Sequence, residues 1–370
     1  MGRRKKKKLP VGVRIIIFLI VVAVVAGGYY YNKIYLPSKQ KDLYGKEEVY
    51  EHAENEITFH FPMLGNKYNG DCTYIKAGEI DILIDAGSRA NSVPTIKSYV
   101  DKYCLDKTLE YVIVTHADQD HIAGFACSNS IFDNYECEII IDFPLTNKDT
   151  ETYKNYIDKR DKEVENGAVR YSALECVKEQ NGAKKVYELA SNISMEILYH
   201  KYYEETCADE NEYSVCVLFT HGDRSFLFTG DLEENGERSL VESNNLPEVA
   251  LFKAGHHGSK TSSSEVLLNA IKPKICVVPC VAGYNEYDAK PENVFPTQAF
   301  VNRIAKHTDK VYIPTIWDEE KQKETALNGD IKIVSKETKV SVLCSNSTTL
   351  LRETDWFKSF RTMPAVWDFQ

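Results

Sequence analysis

The densest set of chemically reactive side chains in this sequence lies in residues 115–121, THADQDH. Two imidazoles and two carboxylates fall within six residues, directly after the apolar, β-branched run at 111–114, which predicts a buried strand. Carboxylates this close together repel one another unless a cation lies between them. The motif therefore predicts a metal site at a strand end. The four candidate ligands are His116, Asp118, Asp120 and His121.

Further candidates also follow predicted strands. Asp231 ends the strand at 226–228 in a Thr-Gly-Asp sequence, and it is the best-placed carboxylate for bridging two cations. Asp85 closes another strand and could accept a hydrogen bond from a metal-bound histidine, although an aspartate there is often only a turn former. His256 and His257 are adjacent and lie between glycines, so both can hardly be core residues.

The elements that must position these residues alternate between strand and helix patterns, which predicts an α/β fold. A hairpin at 72–85 precedes helical spacing at 92–104 and the strand before the first motif. Residues 145–185 include a charge-rich helical stretch and are expected to be a surface insertion. The tail at 351–370 is aromatic and is expected to pack on the body.

The N-terminal region has the pattern of a membrane anchor. Residues 1–14 are basic, residues 15–31 are aliphatic and end in three tyrosines, and residues 32–54 resemble a linker. The competing interpretation is a cleaved signal peptide. The positive-inside rule predicts a single-pass protein of the cell membrane, with a cytoplasmic N-terminus and an extracellular body.

Charge and cysteine content restrict the remaining possibilities. The formal net charge is −10 even though seven cations lie within residues 1–14, so the body is strongly acidic. This disfavours broad electrostatic binding of nucleic acid. The ten cysteines include no CxxC pair and are expected mostly to be small buried hydrophobes, with disulfides as the alternative in an exported chain. No Ser/His/Asp triad order and no Gly-rich phosphate loop is present.

Taken in order, the motifs resemble those of the metallo-β-lactamase superfamily. More narrowly, they are similar to the ComEC-like branch, typified by the exported hydrolase domain of a late-competence DNA-uptake protein. The resemblance covers about residues 55–345 and implies an αββα sandwich, so the domain is placed at 55–350. The matching sequences are the Asp-Ala-Gly at 85–87, the histidine–aspartate motif at 116–121, Asn211 to Ser214, Thr-Gly-Asp at 229–231 and Gly-His-His-Gly-Ser at 255–259. Residues 69–71 are also similar to a Gly-Asp turn of that family.

The resemblance implies two divalent ions, Zn²⁺ or Mn²⁺, because the set is rich in carboxylates. The first ion would be held by His116, Asp118 and Asp231. The second would be held by Asp120, His121, Asp231 and either His256 or His257. Asp120 would orient a hydroxide shared by the ions, and a histidine of the pair that is not a ligand, such as His257, could protonate the leaving group. The supporting side chains would be Asp85, Asn211 and Ser214.

Two positions depart from the family pattern. Asp118 stands where most of the superfamily has histidine, although aspartate is frequent in the ComEC-like branch. Residues 295–297, Phe-Pro-Thr, stand where that branch tends to carry His-Pro-Ser, so a histidine is replaced by Phe295.

The resemblance implies a membrane-anchored, extracellular, metal-dependent hydrolase of phosphoesters, either a nuclease or a phosphodiesterase. One alternative is a hydrolase of another ester or amide, such as a cell-envelope substituent. The other is a degenerate, non-catalytic binding module.

Overall fold

The structure is a computed structural model, and it describes residues 55–68, 70–285, 290–336 and 339–368. The basic segment 1–14, the anchor expected at 15–31 and the linker at 32–54 lie outside these residues. Among the described helices, none has both the length and the apolar character needed to cross a membrane.

The first sheet has eight strands in the order β18-β17-β1-β2-β3-β4-β5-β6. Strands β1, β2, β17 and β18 pair antiparallel, whereas β3 to β6 run parallel. The strands are β1 (Glu56–Phe61), β2 (Thr73–Ala77), β3 (Ile80–Ile84), β4 (Thr108–Val114), β5 (Glu136–Asp142), β6 (Val169–Ser172), β17 (Ile331–Lys336) and β18 (Lys339–Cys344).

The second sheet has seven strands in the order β14-β12-β11-β10-β9-β8-β7, and a small third sheet has the order β13-β15-β16. Strands β10, β11, β12 and β14 run parallel to one another. The strands are β7 (Val186–Ala190), β8 (Ile193–Leu198), β9 (Cys216–His221), β10 (Arg224–Phe228), β11 (Leu251–Lys253), β12 (Ile275–Val277), β13 (Val281–Ala282), β14 (Val311–Tyr312), β15 (Thr315–Asp318) and β16 (Lys323–Ala326).

The two large sheets pack face to face, and helices cover their outer faces. Phe59 of β1 meets Phe226 of β10 with ring centroids 4.6 Å apart, which places the main core between the sheets. Leu227 and Phe252, on the other face of the second sheet, pack against helices of a second core. This is the expected αββα arrangement. The helices are α1 (Ser92–Val100), α2 (Gln119–Ala126), α3 (Glu151–Asn166), α4 (Ala173–Lys178), α5 (Glu234–Ser243), α6 (Glu265–Ile271), α7 (Gln298–Ile304) and α8 (Asp355–Phe360).

Residues 145–185 are integrated into the first sheet. Helix α3 presents Tyr156 to the core, and β6 pairs in parallel with β5 to extend the sheet. The fully buried carboxylate of Asp142, at the end of β5, forms ion pairs with Arg160 on α3 and Arg170 on β6. An ionic contact therefore joins the strand, the helix and the next strand into one β-α-β unit.

The C-terminal tail lies against the second core. Leu351, Phe357 and Trp367 are buried there, and the Trp367 indole donates a hydrogen bond to the Thr308 carbonyl at 3.1 Å. All ten cysteines are free, and seven of them are buried, which agrees with their interpretation as small hydrophobes.

Candidate metal centre

The candidate residues converge because the parallel strands of both sheets end at the same edge. Asp85 follows β3, and the 115–121 motif follows β4 in the first sheet. Asp231 follows β10, and the adjacent histidines follow β11 in the second sheet. Strand carboxyl ends are a common position for functional loops, since the sheet holds the loop bases rigidly.

The loop after β4 brings two imidazole rings together. The ring centroids of His116 and His121 are 4.1 Å apart, and both side chains are fully buried. Asp118 has an extended conformation immediately before α2, whereas Asp120 and His121 lie in the first turn of that helix. The change from extended to helical backbone thus directs several side chains of a short segment towards one point.

Asp85 orients the second of these histidines. The Nδ1 of His121 lies 2.7 Å from Asp85 Oδ2, and because a carboxylate only accepts, Nδ1 carries the proton in this contact. The other oxygen of Asp85 accepts from the Thr115 backbone N–H at 2.8 Å. This contact directs the Nε2 of His121 into the site, so Asp85 is placed where a supporting residue would act.

The buried imidazole nitrogens provide a test of whether a metal fits here. Within the described part of the chain, the Nε2 atoms of His116 and His121 make no hydrogen bond, although both are buried. A buried polar atom without a hydrogen bond is costly, and the facing carboxylate oxygens lie 3.6 Å from His116 Nε2 and 3.3 Å from His121 Nε2. Imidazole nitrogen beside carboxylate oxygen is a donor set suited to divalent transition metals, so the residues fit such an ion.

Asp231, from the second sheet, faces the histidines of the site. Its Oδ2 lies 3.3 Å from His121 Nε2 and 3.5 Å from His257 Nε2. The preceding Gly230 has a φ of +53°, and a Cβ there would lie 2.9 Å from side-chain atoms of Thr115 and Ser214. The close approach of the two sheets at this point therefore requires glycine.

The structure separates the two adjacent histidines. Both have left-handed backbone conformations, which turn their side chains in different directions. The Nε2 of buried His257 lies 3.2 Å from Asp120 Oδ2, and its Nδ1 lies 2.7 Å from the Pro279 carbonyl. His256 is partly exposed and contacts Glu233 at 3.2 Å. Among the pair, His257 is the residue placed with the carboxylates.

Four side chains form the compact ligand group. Each offers one atom, and these atoms all lie within 4.8 Å of one another. This group corresponds to the ligand set that the sequence resemblance implies for the second ion. Its members are Asp120, His121, Asp231 and His257.

The other predicted ligands lie beside this group. His116 Nε2 is 3.6 Å from Asp118 Oδ2, and Asp118 also forms an ion pair with Lys148. Ser214 lies between His116 and Asp231. Its hydroxyl is 3.4 Å from His116 Nδ1 and accepts a hydrogen bond from the Asp231 backbone N–H at 3.1 Å. The lysine ammonium therefore occupies a place near Asp118 that a second cation would compete for.

Two residues of the site were not among the sequence candidates. The ammonium of buried Lys253, at the end of β11, donates to the Gly230 carbonyl at 2.9 Å and lies 3.5 Å from Asp231 Oδ1. It also forms an ion pair with Asp71, whose Oδ1 is 3.3 Å from His257 Nδ1. The only signals in the sequence are a lysine within an apolar strand pattern and the Gly-Asp turn at 69–71.

Charge pairing dominates the protonation of the buried group. Burial would lower the pKa of His121, but Asp231 and Asp85 raise it well above its ordinary value. Burial would raise the pKa of Asp231, but His121, His257 and Lys253 hold it well below its usual range. In the metal-free protein, imidazolium–carboxylate pairs therefore stabilise the site, and a metal ion must replace protons.

A cleft of about 360 Å³ opens above the ligand group. The predicted residue Asn211 lies here, with its amide 3.4 Å from both His256 Nδ1 and Glu233 Oε1, so it supports the partly exposed histidine. Phe295 packs against the rings of His256 and His257, at 5.9 and 5.8 Å between centroids. The position that departs from the family pattern is therefore in direct contact with the site. The cleft is lined by Tyr68, Arg89, Asp118, Gln119, Asp120, Asn211, Asp231 and His256.

Comparison with known families agrees with this arrangement. The model of the metallo-β-lactamase superfamily matches residues 65–126 and 205–280, which contain all the residues of the compact ligand group. These two regions of the chain are therefore similar to the metallo-β-lactamase superfamily, and they hold the candidate ligand group described above.

The curated relatives that this chain resembles include competence proteins, which supports its similarity to the ComEC-like branch. Competence protein ComA of Neisseria gonorrhoeae is 41% identical over 106 residues, which is 28% of this chain and 14% of that protein. ComE operon protein 3 of Bacillus subtilis is 28% identical over 178 residues, which is 46% of this chain and 20% of that protein. The match thus spans a fifth or less of these longer relatives.

Among solved structures, the metallo-β-lactamase fold protein YhfI from Bacillus subtilis aligns with a TM-score of 0.40 at 12% identity. The alignment covers 70% of this chain and 96% of that one.

Proposed function

We propose that this protein is a metal-dependent hydrolase of phosphoesters, acting as a nuclease or phosphodiesterase. The observation that carries the proposal is the buried group of two histidines and two aspartates that opens onto a cleft. Arg89 lines this cleft and Lys148 pairs with Asp118 at its edge, so cations flank a site in an otherwise acidic chain. With divalent ions bound among the aspartates of the cleft, this positive charge would favour an anionic substrate over a neutral carboxyl ester.

Asp120, His121, Asp231 and His257 would hold one divalent ion, and His116 and Asp118 would contribute to a second. Zn²⁺ and Mn²⁺ both suit this mixture of imidazole and carboxylate. Such ions, when bound, lower the pKa of water and stabilise negative charge that develops on phosphoryl oxygens.

The side chains on the cleft supply the remaining chemistry. Asp120 both faces the cleft and contacts His257, so it can orient the attacking water. We assign proton donation to His256 rather than His257, because His256 faces the cleft while His257 is buried among the ligands. Burial would lower the pKa of His256, but its hydrogen bond with Glu233 and the charges of Asp231 and Glu233 together raise it. This shift favours the protonated form of His256, which is the form that can protonate a leaving oxygen.

The deciding experiment is a substrate panel with the full chain purified in mild detergent. Bis-p-nitrophenyl phosphate, single-stranded DNA and p-nitrophenyl acetate would be compared with Mn²⁺ and with Zn²⁺, beside metal analysis of the protein. We expect about two ions per chain and hydrolysis of the phosphodiesters. Asp120→Asn should reduce kcat by roughly 10²- to 10⁴-fold.

Asp223→Asn is the matched control, because the side chain of Asp223 is 96% exposed. Preferential cleavage of the acetate ester would replace the phosphoester proposal with the alternative ester hydrolase. A protein that binds metal but turns over none of the three substrates would favour the non-catalytic module.

We also propose that residues 15–31 anchor the protein in the cell membrane as a single-pass signal-anchor and that the catalytic domain lies outside the cell. The support is the aliphatic composition of this segment and the block of cations before it.

A further inference from the structure

A cluster of aromatic and cationic side chains extends from one wall of the cleft and belongs to none of the candidate ligand groups. We call this cluster the aromatic strip, and it consists of Lys67, Tyr68, Arg89, Tyr284 and Trp317. Tyr68 and Arg89 line the cleft itself. The other members, Lys67, Tyr284 and Trp317, extend the cluster away from the cleft and come from three separate parts of the chain.

The three rings form a continuous series. The centroid of Tyr68 is 5.9 Å from that of Tyr284, which is 4.6 Å from that of Trp317. All three side chains are half-buried, so each ring has surface available to a ligand. Aromatic pairs at these separations attract one another, which helps to hold the rings in place.

The two cations of the strip lie beside its rings. The Arg89 guanidinium is 4.4 Å from the Tyr68 centroid, and the Lys67 ammonium is 5.1 Å from Tyr68 and 5.4 Å from Tyr284. Within the described residues, neither cation forms an ion pair with a carboxylate. In a chain with a net charge of −10, two such cations next to a metal-binding cleft are suited to an anion.

The inner end of the strip is pre-organised. The Tyr68 backbone N–H donates to Asn66 Oδ1 at 2.9 Å, and the Asn66 amide donates to Ser92 Oγ at 2.9 Å. Ser88 donates its hydroxyl proton to the Tyr68 carbonyl and accepts from Arg89 Nη1 at its own carbonyl, at 2.8 Å. A ligand that docks here therefore loses little binding energy to ordering the protein.

We propose that the aromatic strip is a substrate-binding subsite, which stacks a planar ring attached to the phosphoryl group that enters the cleft. This inference rests on the proposed function and names the part of the substrate that the metal centre does not touch. The rings supply stacking, and Lys67 and Arg89 supply charge for phosphate oxygens. A nucleotide combines these two features, and stacking on aromatic side chains is how proteins hold unpaired bases without reading their sequence.

The test compares two probes that differ only in the ring. Thymidine 5′-monophosphate and 2-deoxyribose 5-phosphate would be titrated by calorimetry into the metal-loaded full chain. We expect the base to tighten binding by roughly five- to a hundredfold. Tyr284→Leu and Trp317→Leu should remove most of that gain and leave the affinity for deoxyribose phosphate unchanged. Trp317→Phe, which keeps an aromatic ring, should retain part of the gain in affinity that the base provides.

Phe360→Leu is the matched control, since Phe360 is an exposed aromatic residue outside the strip. Equal affinities for the two probes, or a loss of both in the strip variants, would overturn the inference. Binding does not depend on turnover. A base-dependent affinity in a protein without hydrolytic activity would therefore reject the proposed function but still support the aromatic strip as a binding subsite. Short oligothymidylates would show whether successive rings bind successive bases, as in a single strand, or whether a mononucleotide fills the subsite.

Discussion

The ammonium of Lys253 is buried between the carboxylates of Asp71 and Asp231, in a site where two of the candidate metal ligands are also carboxylates. Burial would lower the pKa of this lysine, but the charges of Asp71 and Asp231 raise it, so the residue is a fixed positive charge. It contacts Asp231 through Oδ1, while Oδ2 of the same carboxylate faces the histidines. Lys253 therefore holds Oδ1 of Asp231 and leaves Oδ2 facing the candidate ligand histidines.

Replacement of this lysine tests that role. Lys253→Met should destabilise the metal-free protein by about 3–5 kcal/mol, because Asp71 and Asp231 would keep buried negative charge without a counterion. Mn²⁺ should recover more of the melting temperature in the variant than in the wild type, since the ion would then offset that charge. Thermal denaturation with and without Mn²⁺ measures both effects.

Lys272→Met serves as the control, because Lys272 pairs with Glu248 on the surface and should contribute less than about 1 kcal/mol. An equal loss of stability in the two variants would show that Lys253 has no special place in the site.

Protons on the buried histidines stabilise the metal-free site. Carboxylate neighbours outweigh burial and raise the pKa values of His121 and His257 well above 6.5. Their stabilising contribution to the metal-free protein is therefore complete below about pH 6.5 and declines as pH rises through the raised values. Metal affinity should change in the opposite direction and increase with pH, because binding displaces these protons.

Calorimetric titration of Mn²⁺ at pH 7, in buffers with different ionisation enthalpies, counts the protons released. We expect a net release of at least about one proton per ion. A binding enthalpy that is independent of the buffer would contradict the ionic pairing described for the metal-free site.

At the scale of elements, the turn after the two histidines is held from both sides. Glu237 of α5 accepts the backbone N–H groups of Ser263 and Ser264 at 2.6 and 2.7 Å. Arg303 of α7 donates to the carbonyls of Ser262 and Ser263 at 2.7 and 2.8 Å. Two helices thus satisfy the polar backbone of an irregular segment that a buried turn would otherwise leave unpaired.

Glu237→Ala should lower the free energy of unfolding by roughly 2–4 kcal/mol, because it leaves two buried N–H groups without an acceptor. Denaturant unfolding measures the loss. Glu242→Ala on the same helix is the control, since Glu242 is exposed and its removal should change stability by less than about 0.5 kcal/mol. Similar unfolding curves for the two variants would argue against this bracing of the turn.

The strands and most of the candidate metal centre could be predicted from the sequence. Apolar alternation marked the strands, and polar residues at their ends marked most of the centre, because strand ends follow from local pattern alone. The β-α-β arrangement of residues 145–185 could not be predicted in this way, since α3 buries only Tyr156. The packing of this unit also depends on ion pairs of Asp142 with Arg160 and Arg170, which the local sequence pattern does not show. The pairing of Lys253 with Asp71 likewise joins distant segments and becomes evident only in the folded chain.

At the scale of the whole molecule, the charge is unevenly distributed. The acidic body disfavours broad binding of a polyanion, whereas Lys67 and Arg89 of the aromatic strip provide local positive charge next to the cleft. Binding that depends on a few cations and on stacking should involve only a short length of a nucleic acid, and its affinity should be only moderately sensitive to salt. This is consistent with a substrate that is held near the reacting phosphate rather than along an extended surface.

The proposed membrane anchor can be tested by membrane fractionation. If residues 15–31 span the membrane, the protein should remain in the membrane pellet after washes with high salt and alkaline carbonate, because those washes remove charge-dependent binding but not a buried apolar helix. A variant that lacks residues 1–31 should be released into the soluble fraction on cell lysis, and protease added to intact cells should degrade only the anchored form. A matched chain in which residues 3–8 are neutral keeps the apolar segment and should lose orientation rather than membrane association. Recovery of the wild-type chain in the culture medium, with an N-terminus near residue 27, would instead establish the cleaved signal peptide.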